Sequence, residues 1–357
     1  MVELNDSMDK NWLPRQNTLK RTVPLLIVGL LIFVVYLYFF VDLPELLAAF
    51  KEIDLLYYLL AVAGVLVNLV TYSLTWQYLL KPLSIKVSFK TTLLISWVGN
   101  FVEFFVPSES VGEDVSKSYL MAKASKENAG KVVASVLGQR IISMFVTVII
   151  LVVCALSLYV MNFDIPASVS LLIFLICVGT AIPLVFIVLL CKKEQLSHRI
   201  IDLLIRFCVW VARGRLSLED LREKAKNSLE SFHTSMGILG KNPTILILPF
   251  VFSLISYFFS VLVSYFVFAS LGYFNVSFVL LTIVYSLSRS FQSIPTMLPG
   301  EVGFLEIVMT SLYIALLGPQ ASAISAASTV LTRVLWVWLK VLLGFGALQW
   351  AIRKKLL

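Results

Sequence analysis

Charge is what this sequence has least of: 14% of its residues are Asp, Glu, Lys or Arg, against about 25% in an average soluble domain. So few ions cannot cover a water-facing surface, which excludes an ordinary soluble globule. Histidine is nearly absent. The two present, His198 and His233, form no catalytic or metal pattern. Cys154, Cys177, Cys191 and Cys208 make no C-x-x-C and have no histidine at ligand spacing, so they read as small apolar residues in or near helices. No catalytic residue, cofactor or metal is assigned.

Apolar residues make up 59% of the chain, and its mean hydropathy is +0.92. They come in runs rather than stripes. Val23–Val41, Leu55–Leu80, Val132–Val160, Ile165–Leu190, Ile245–Leu271, Phe278–Leu298 and Ala321–Ala351 are each near or above the ~20 residues that span a hydrocarbon core. The first run has 19 residues, longer than the about 7–15 of a signal-peptide core, and reads as a retained helix. The net charge of +8 gathers beside helix ends. That is the positive-inside pattern, not a nucleic-acid surface.

Lys10, Arg15, Lys20 and Arg21 place the amino terminus on the cytoplasmic side. The loop with Asp42, Glu45, Glu52 and Asp54 suits the outside, and Lys81, Lys86 and Lys90 mark the return. A full crossing by Val87–Pro107 would put Lys117, Lys123, Lys126 and Lys131 outside, followed by segment 192–243 with ten basic and six acidic residues. Both placements break the rule. If 87–130 instead enters and leaves on one side, these clusters are cytoplasmic. Arg353, Lys354 and Lys355 join them, provided 277–318 is a second hairpin entered from outside. Arg140, Arg289, Arg333 and Lys340 then lie within the membrane. The expected fold is an all-α polytopic membrane protein with about six full spans and two re-entrant helical hairpins. Irregular backbone at that depth needs cover by protein or water, so the hairpins imply a cavity.

The hairpins resemble each other. Val87-Ser88-Phe89 opens one and Val276-Ser277-Phe278 the other, and Ala134-Ser135 matches Ala327-Ser328. At the tips, Pro107-Ser108-Glu109 with Gly112-Glu113 matches Pro299-Gly300-Glu301 with Gly303 and Glu306. Glu113 precedes Arg140 by 27 residues, and Glu306 precedes Arg333 by the same 27. Two span–hairpin–span repeats follow, about 55–161 and 244–351, with opposite orientation by the charge argument. Inverted repeats with broken helices are a transporter architecture. The chain divides into a cytoplasmic segment 1–22, one integral-membrane domain 23–352 with a cytoplasmic insert 192–243, and a basic tail 353–357.

Arg140 sits about 13 Å into its helix, and Arg333 about 18 Å from the outer end of its own, at 1.5 Å per residue. An arginine at such depth costs roughly 2.5 kcal/mol or more, so each is expected to meet a partner or a polar cavity. Arg140, Ser143 and Thr147 share one helical face, and Ser322, Thr329, Arg333 and Lys340 share another. Two compatible readings follow. The arginines bind an anion, most simply a phosphate, which fits a guanidinium fork. Or they form structural salt bridges, Arg140 with Glu113 or Glu109 and Arg333 with Glu306 or Glu301. Pro107 and Pro299 break helices at the tips, and Gly112, Gly300 and Gly303 permit tight turns. A half-helix starting there aims free N–H groups at the cavity, unless the tips are plain loops. Glu103 and Arg289 lie inside the hairpins, available to pair or titrate. In segment 192–243, Leu218, Leu221, Ala225, Leu229, Phe232 and Met236 form an amphipathic stripe suited to the membrane surface.

The stretch from Asn100 to Arg140, with Pro107, Gly112-Glu113 and Arg140, resembles the integral-membrane domain of lysylphosphatidylglycerol synthases. Pro299-Gly300, Gly303 and Glu306, running on to Arg333, fit the same family's second signature. This is the flippase-like UPF0104 family of prokaryotic membrane proteins, and the resemblance spans about 23–352. The family often shows P-x-R-x-G-E in the first tip, where this chain has Pro107-Ser108-Glu109-Ser110-Val111-Gly112-Glu113. That departure shifts expected anion binding from the tip to Arg140. The resemblance implies moving or presenting phospholipid or polyprenyl-phosphate lipids. The synthases carry a separate soluble catalytic domain. The longest soluble piece here, 192–243, is too short for one and has no nucleophile–base or nucleotide-binding motif.

The function expected is a flippase-like transporter or scramblase of the cell membrane, both termini cytoplasmic, acting on anionic lipids. Arg140, Arg333, Glu113, Glu306, Glu109, Glu301 and Lys340 would bind the headgroup. On this reading Arg333→Ala abolishes lipid movement and leaves folding largely intact. Two alternatives stay open. One is a subunit or enzyme of aminoacyl or glycosyl transfer to lipid, working with a soluble transferase partner. The other is a secondary transporter of a small anion. No nucleic-acid partner is expected. Gly344 and Gly346 permit close packing without fixing an oligomeric state.

Overall fold

A computed structural model describes residues 43–105, 111–160, 167–195, 218–292 and 298–354, with short pieces at 27, 31–35, 37–39, 197 and 199. Every regular element among them is helical. In chain order these include α1 (Leu43–Lys51), α2 (Leu55–Leu80), α3 (Phe89–Phe105), α4 (Val111–Ser125), α5 (Ala129–Val160) and α6 (Ala167–Lys192). Then come α7 (Leu218–Lys241), α8 (Thr244–Ser270), α9 (Phe278–Phe291) and α10 (Phe304–Leu317). The last long helix is made of α11 (Ser322–Arg333), a π-helical stretch over Val334–Leu339, and α12 (Lys340–Arg353).

Six helices among the described residues are long and apolar enough to cross a membrane: Leu55–Leu80, Ala129–Val160, Val169–Cys191, Thr244–Ser270, Pro299–Leu317 and Pro319–Arg353. Five of these follow runs read from the sequence. Of the run at 23–41, only the pieces at 27, 31–35 and 37–39 are among the described residues. Pro299–Leu317, expected as one arm of a hairpin, is long and apolar enough by itself.

Polarity is inverted relative to a protein in water. Tyr159 and Phe174 stand exposed at 82% and 63%, while Asn68, Gln77, Glu113, Lys117 and Arg333 are buried. A soluble chain with such a surface would aggregate. In hydrocarbon, apolar side chains cost nothing outside, and packing plus internal polar contacts hold the helices together. Helix α6 is the most peripheral of the six, with its apolar side chains mostly turned outward.

The central contact is α2 on α8. Asp54 N donates to Ser270 O at 2.8 Å near one end, and Tyr78 stacks on Phe252 at 5.3 Å near the other, so the helices run antiparallel. Gly64 brings the backbones close, since a Cβ there would lie 2.9 Å from the Val263 side chain. One turn on, Asn68 Nδ2 donates to Ser256 O at 2.7 Å and lies 2.8 Å from the hydroxyls of Ser256 and Ser260. A second close contact sets α3 on α12. A Cβ at Gly344 would lie 2.6 Å from the Trp97 carbonyl, so this glycine's packing partner is within the chain.

Helix α7 carries the expected amphipathic stripe, but its apolar face is not left for the membrane surface. Leu229 and Phe232 pack with Ala134 of α5. The reason is Gly130, whose bare Cα admits the α7 backbone: a Cβ there would fall 1.7 Å from Ser228 O. No side-chain rearrangement relieves a clash with backbone. Gly130→Ala is therefore expected to push α7 off α5 and to destabilise the protein by about 2 kcal/mol or more, in line with overpacked cores. Trypsin should then cut at Lys226 within the folded protein. An unchanged cleavage pattern and melting temperature would contradict this packing.

Candidate functional site

The helices enclose a cavity of about 210 Å³. Its charged lining comes from both predicted hairpins and the last helix: Glu103 and Glu113 from the first, Arg289 and Glu301 from the second, and Arg333 and Lys340. Asn68, Tyr72, Asn100, Tyr285 and Gln292 add polar wall. The Ser288 hydroxyl is buried on that wall with no hydrogen-bond partner among the described residues.

Arg333 is fixed from two sides. Its Nε donates to Glu306 Oε1 at 2.8 Å, and its Nη2 donates to the Gly300 carbonyl at 2.5 Å. Glu306 Oε2 in turn accepts from Gly303 N at 2.7 Å, capping α10. That backbone N–H, expected to face an anion, is thus already taken. The turn held this way has positive φ at Gly300 (57°), Glu301 (53°) and Gly303 (90°). Glycine adopts this region freely; Glu301 does so at a steric cost. Gly300 also meets α3, since a Cβ there would lie 2.6 Å from the Phe104 ring.

Helices α3 and α4 have a different lock. Lys117 is fully buried, with Nζ 3.2 Å from Glu113 Oε1 and 2.8 Å from Gln139 Oε1. The rings of Tyr72 and Trp76 lie 4.9 and 4.8 Å from it. The positive-inside argument treats Lys117 as a loop charge, whereas it is buried against a carboxylate and two aromatic faces. Gly99 makes the room, as a Cβ there would lie 2.9 Å from Glu113 Cγ and 3.0 Å from Lys117 Cγ.

Among the described residues Arg140 pairs with Asp114, not with Glu113, while Glu109 lies outside them. Its Nη1 meets Asp114 Oδ2 at 2.8 Å. One residue along a helix turns the side chain by about 100°, so Asp114 faces Arg140 while Glu113 faces Lys117. Ser143 and Thr147 line the cavity as their shared face suggests, but Arg140 does not. Pro107 and Glu109 lie outside the described residues, and Gly112 is in the first turn of α4. On the last helix Arg333 and Lys340 reach the cavity, while Ser322 and Thr329 do not line it.

Arg289 and Lys340 are less committed. Arg289 Nη1 donates to Gln292 Oε1 at 2.9 Å, and Gln292 Nε2 donates to Glu301 Oε2 at 3.1 Å. Lys340 Nζ lies over the Trp336 ring, 4.8 Å from its centroid. Glu103 lines the same cavity. Among the described residues no group of three or more His, Cys, Asp or Glu is placed to hold a metal ion.

Apolar outer faces, spanning helices and a charged interior cavity define a multi-pass membrane protein. The chain belongs to the family described as the lysylphosphatidylglycerol synthase TM region, which matches residues 26–344. It is 26% identical over 327 residues to a UPF0104 membrane protein of Pyrococcus horikoshii, covering 90% of this chain and 94% of that one. It is 23% identical over 310 residues to a UPF0104 membrane protein of Methanothermobacter thermautotrophicus, covering 86% and 88%. A third UPF0104 membrane protein, from Methanocaldococcus jannaschii, is 23% identical over 333 residues, covering 92% and 94%. No solved structure matches.

Proposed function

We propose that this protein moves or presents lipids with anionic headgroups, phospholipids or polyprenyl phosphates, across the cell membrane as a flippase-like transporter or scramblase. The observation that carries this reading is the cavity, where three cationic and three anionic side chains (Arg289, Arg333, Lys340, Glu103, Glu113 and Glu301) line one space inside an apolar bundle. Ions bare in hydrocarbon are costly, and a polar passage removes that cost. Its volume of about 210 Å³ suits a headgroup and leaves tails outside. Arg289, Lys340 and the remaining edge of Arg333 face the phosphate. The carboxylates balance them and accept a cationic portion of the headgroup where one exists. The family's description, naming the membrane region of a lipid-modifying synthase, agrees in kind.

The proposed architecture is two inverted repeats with re-entrant hairpins and cytoplasmic termini. The antiparallel packing of α2 and α8 supports it, as these are the opening helices of the two repeats. Helices α3 and α9, with 17 and 14 residues, extend about 26 and 21 Å at 1.5 Å per residue, short of the ~30 Å core. Phe104 against Gly300 joins the two halves where hairpin tips would meet.

The test is movement of fluorescent phospholipids in proteoliposomes, with uptake of inorganic phosphate measured in parallel. Faster transbilayer exchange of anionic lipid than in protein-free vesicles is expected. Phosphate uptake without lipid exchange would assign the cavity to a small-anion transporter. Natively folded protein that moves neither would overturn the transport reading and favour a membrane subunit with a soluble transferase partner.

A further inference from the structure

A second hollow, of about 540 Å³, lies between α5, α8 and α9. Ile150, Cys154, Leu254, Phe258, Phe278 and Thr282 are on its walls. The Thr282 hydroxyl already donates to Phe278 O at 2.7 Å, so it offers a guest no free donor. Leu254, Phe258 and Phe278 are open outward, toward the side where the helices meet hydrocarbon. Tyr257 lines both this cleft and the charged cavity. It is buried, its hydroxyl is bonded to that of Ser286, and its ring meets Tyr285 edge-on at 5.1 Å.

We infer that the cleft holds the hydrocarbon chain of the molecule whose phosphate headgroup occupies the cavity, the molecule running past Tyr257, whose side chain lines both spaces. This rests on the headgroup reading of the cavity. The chemistry on either side of Tyr257 selects the occupant. On one side lie fixed charges and hydroxyls; on the other, a wall that is almost wholly apolar. Water or a free anion gains nothing from the second, and a plain hydrocarbon nothing from the first. A molecule with both ends fills both. The Tyr257 ring is apolar toward the cleft, and its hydroxyl is held by a serine, a side chain suited to a boundary between wet and dry.

The test places a photoreactive residue at Phe258 (Phe258→p-benzoylphenylalanine) and, as control, at Leu342, which is 70% exposed on the last helix. The full-length protein is reconstituted with tritiated phosphatidic acid or tritiated diacylglycerol of the same chains. At Phe258, labelling by the phosphate-headed lipid is expected to exceed that by diacylglycerol about tenfold, the scale of one charge-assisted hydrogen bond. Arg289→Gln should erase that preference, and Leu342 should show none. Excess inorganic phosphate should leave the preference largely intact, because it lacks the chain. Equal labelling by the two lipids at Phe258 would overturn the inference, as would a covalent adduct between two copies of the protein. The outcome does not depend on transport. Headgroup-dependent labelling by a protein that moves no lipid would leave the site standing and remove only the transport reading.

Discussion

Replacing Arg333 with Met is expected to lower stability by about 3–5 kcal/mol, the usual cost of removing one partner of a buried ion pair. Glu306 would stay buried with its cation gone, and the Gly300 carbonyl would lose its donor. The turn at Gly300, Glu301 and Gly303, with three positive φ angles, would lose the clamp that offsets its strain. Removing both charges should cost much less, because a neutral Gln can stay hydrogen-bonded. Arg333→Met/Glu306→Gln is therefore expected to recover most of the lost melting temperature in detergent. Equal destabilisation of the single and double variants would refute the clamp. The contrast is Arg140→Met. Its pair with Asp114 is partly exposed, at 30% and 22% of the two side chains, so losing that pair is expected to cost less than losing the buried one. This alters how an Arg333→Ala transport defect is read: lost activity in that variant reports on the turn as much as on a ligand.

The second large effect is functional. Arg289→Gln and Lys340→Gln are each expected to slow lipid movement by about ten- to a hundredfold, the scale of one charge-assisted hydrogen bond to a phosphate. Melting temperatures should stay close to wild type. A glutamine at 289 can still bond Gln292, and Lys340 gives up only its position over Trp336. Rates in proteoliposomes, normalised to folded protein, decide the matter. Wild-type movement by Arg289→Gln, with movement abolished in Arg140→Gln, would return the phosphate to Arg140 and remove it from the cavity centre.

The spanning helices were legible because 20 or more apolar residues in succession admit few other uses. The link between Glu306 and Arg333 was legible from a spacing repeated in both halves. Other features depend on rotation about a helix axis or on close approach of helices distant in sequence. Glu113 and Asp114 are neighbours in sequence but face different cations. Lys117 sits among residues that resemble a cytoplasmic loop, and Gly99, from another helix, gives it space inside. Arg289 is linked to Glu301 only through Gln292, a contact that no spacing in the sequence announces. The π-helical stretch has no composition of its own, and Val-Leu-Trp-Val-Trp-Leu would serve an ordinary helix equally well.

That stretch falls between Arg333 and Lys340. A π turn bonds each residue to the fifth before it instead of the fourth, which amounts to one residue too many in the winding. Taking that residue back into α-helical register would swing everything beyond it by roughly 100° about the axis. Arg333, on the near side and tied to Glu306, would not move. Lys340, on the far side, would change direction entirely. The π stretch therefore sets the angle at which the last helix presents its two cavity-lining cations, the one clamped by Glu306 and the one held only over Trp336.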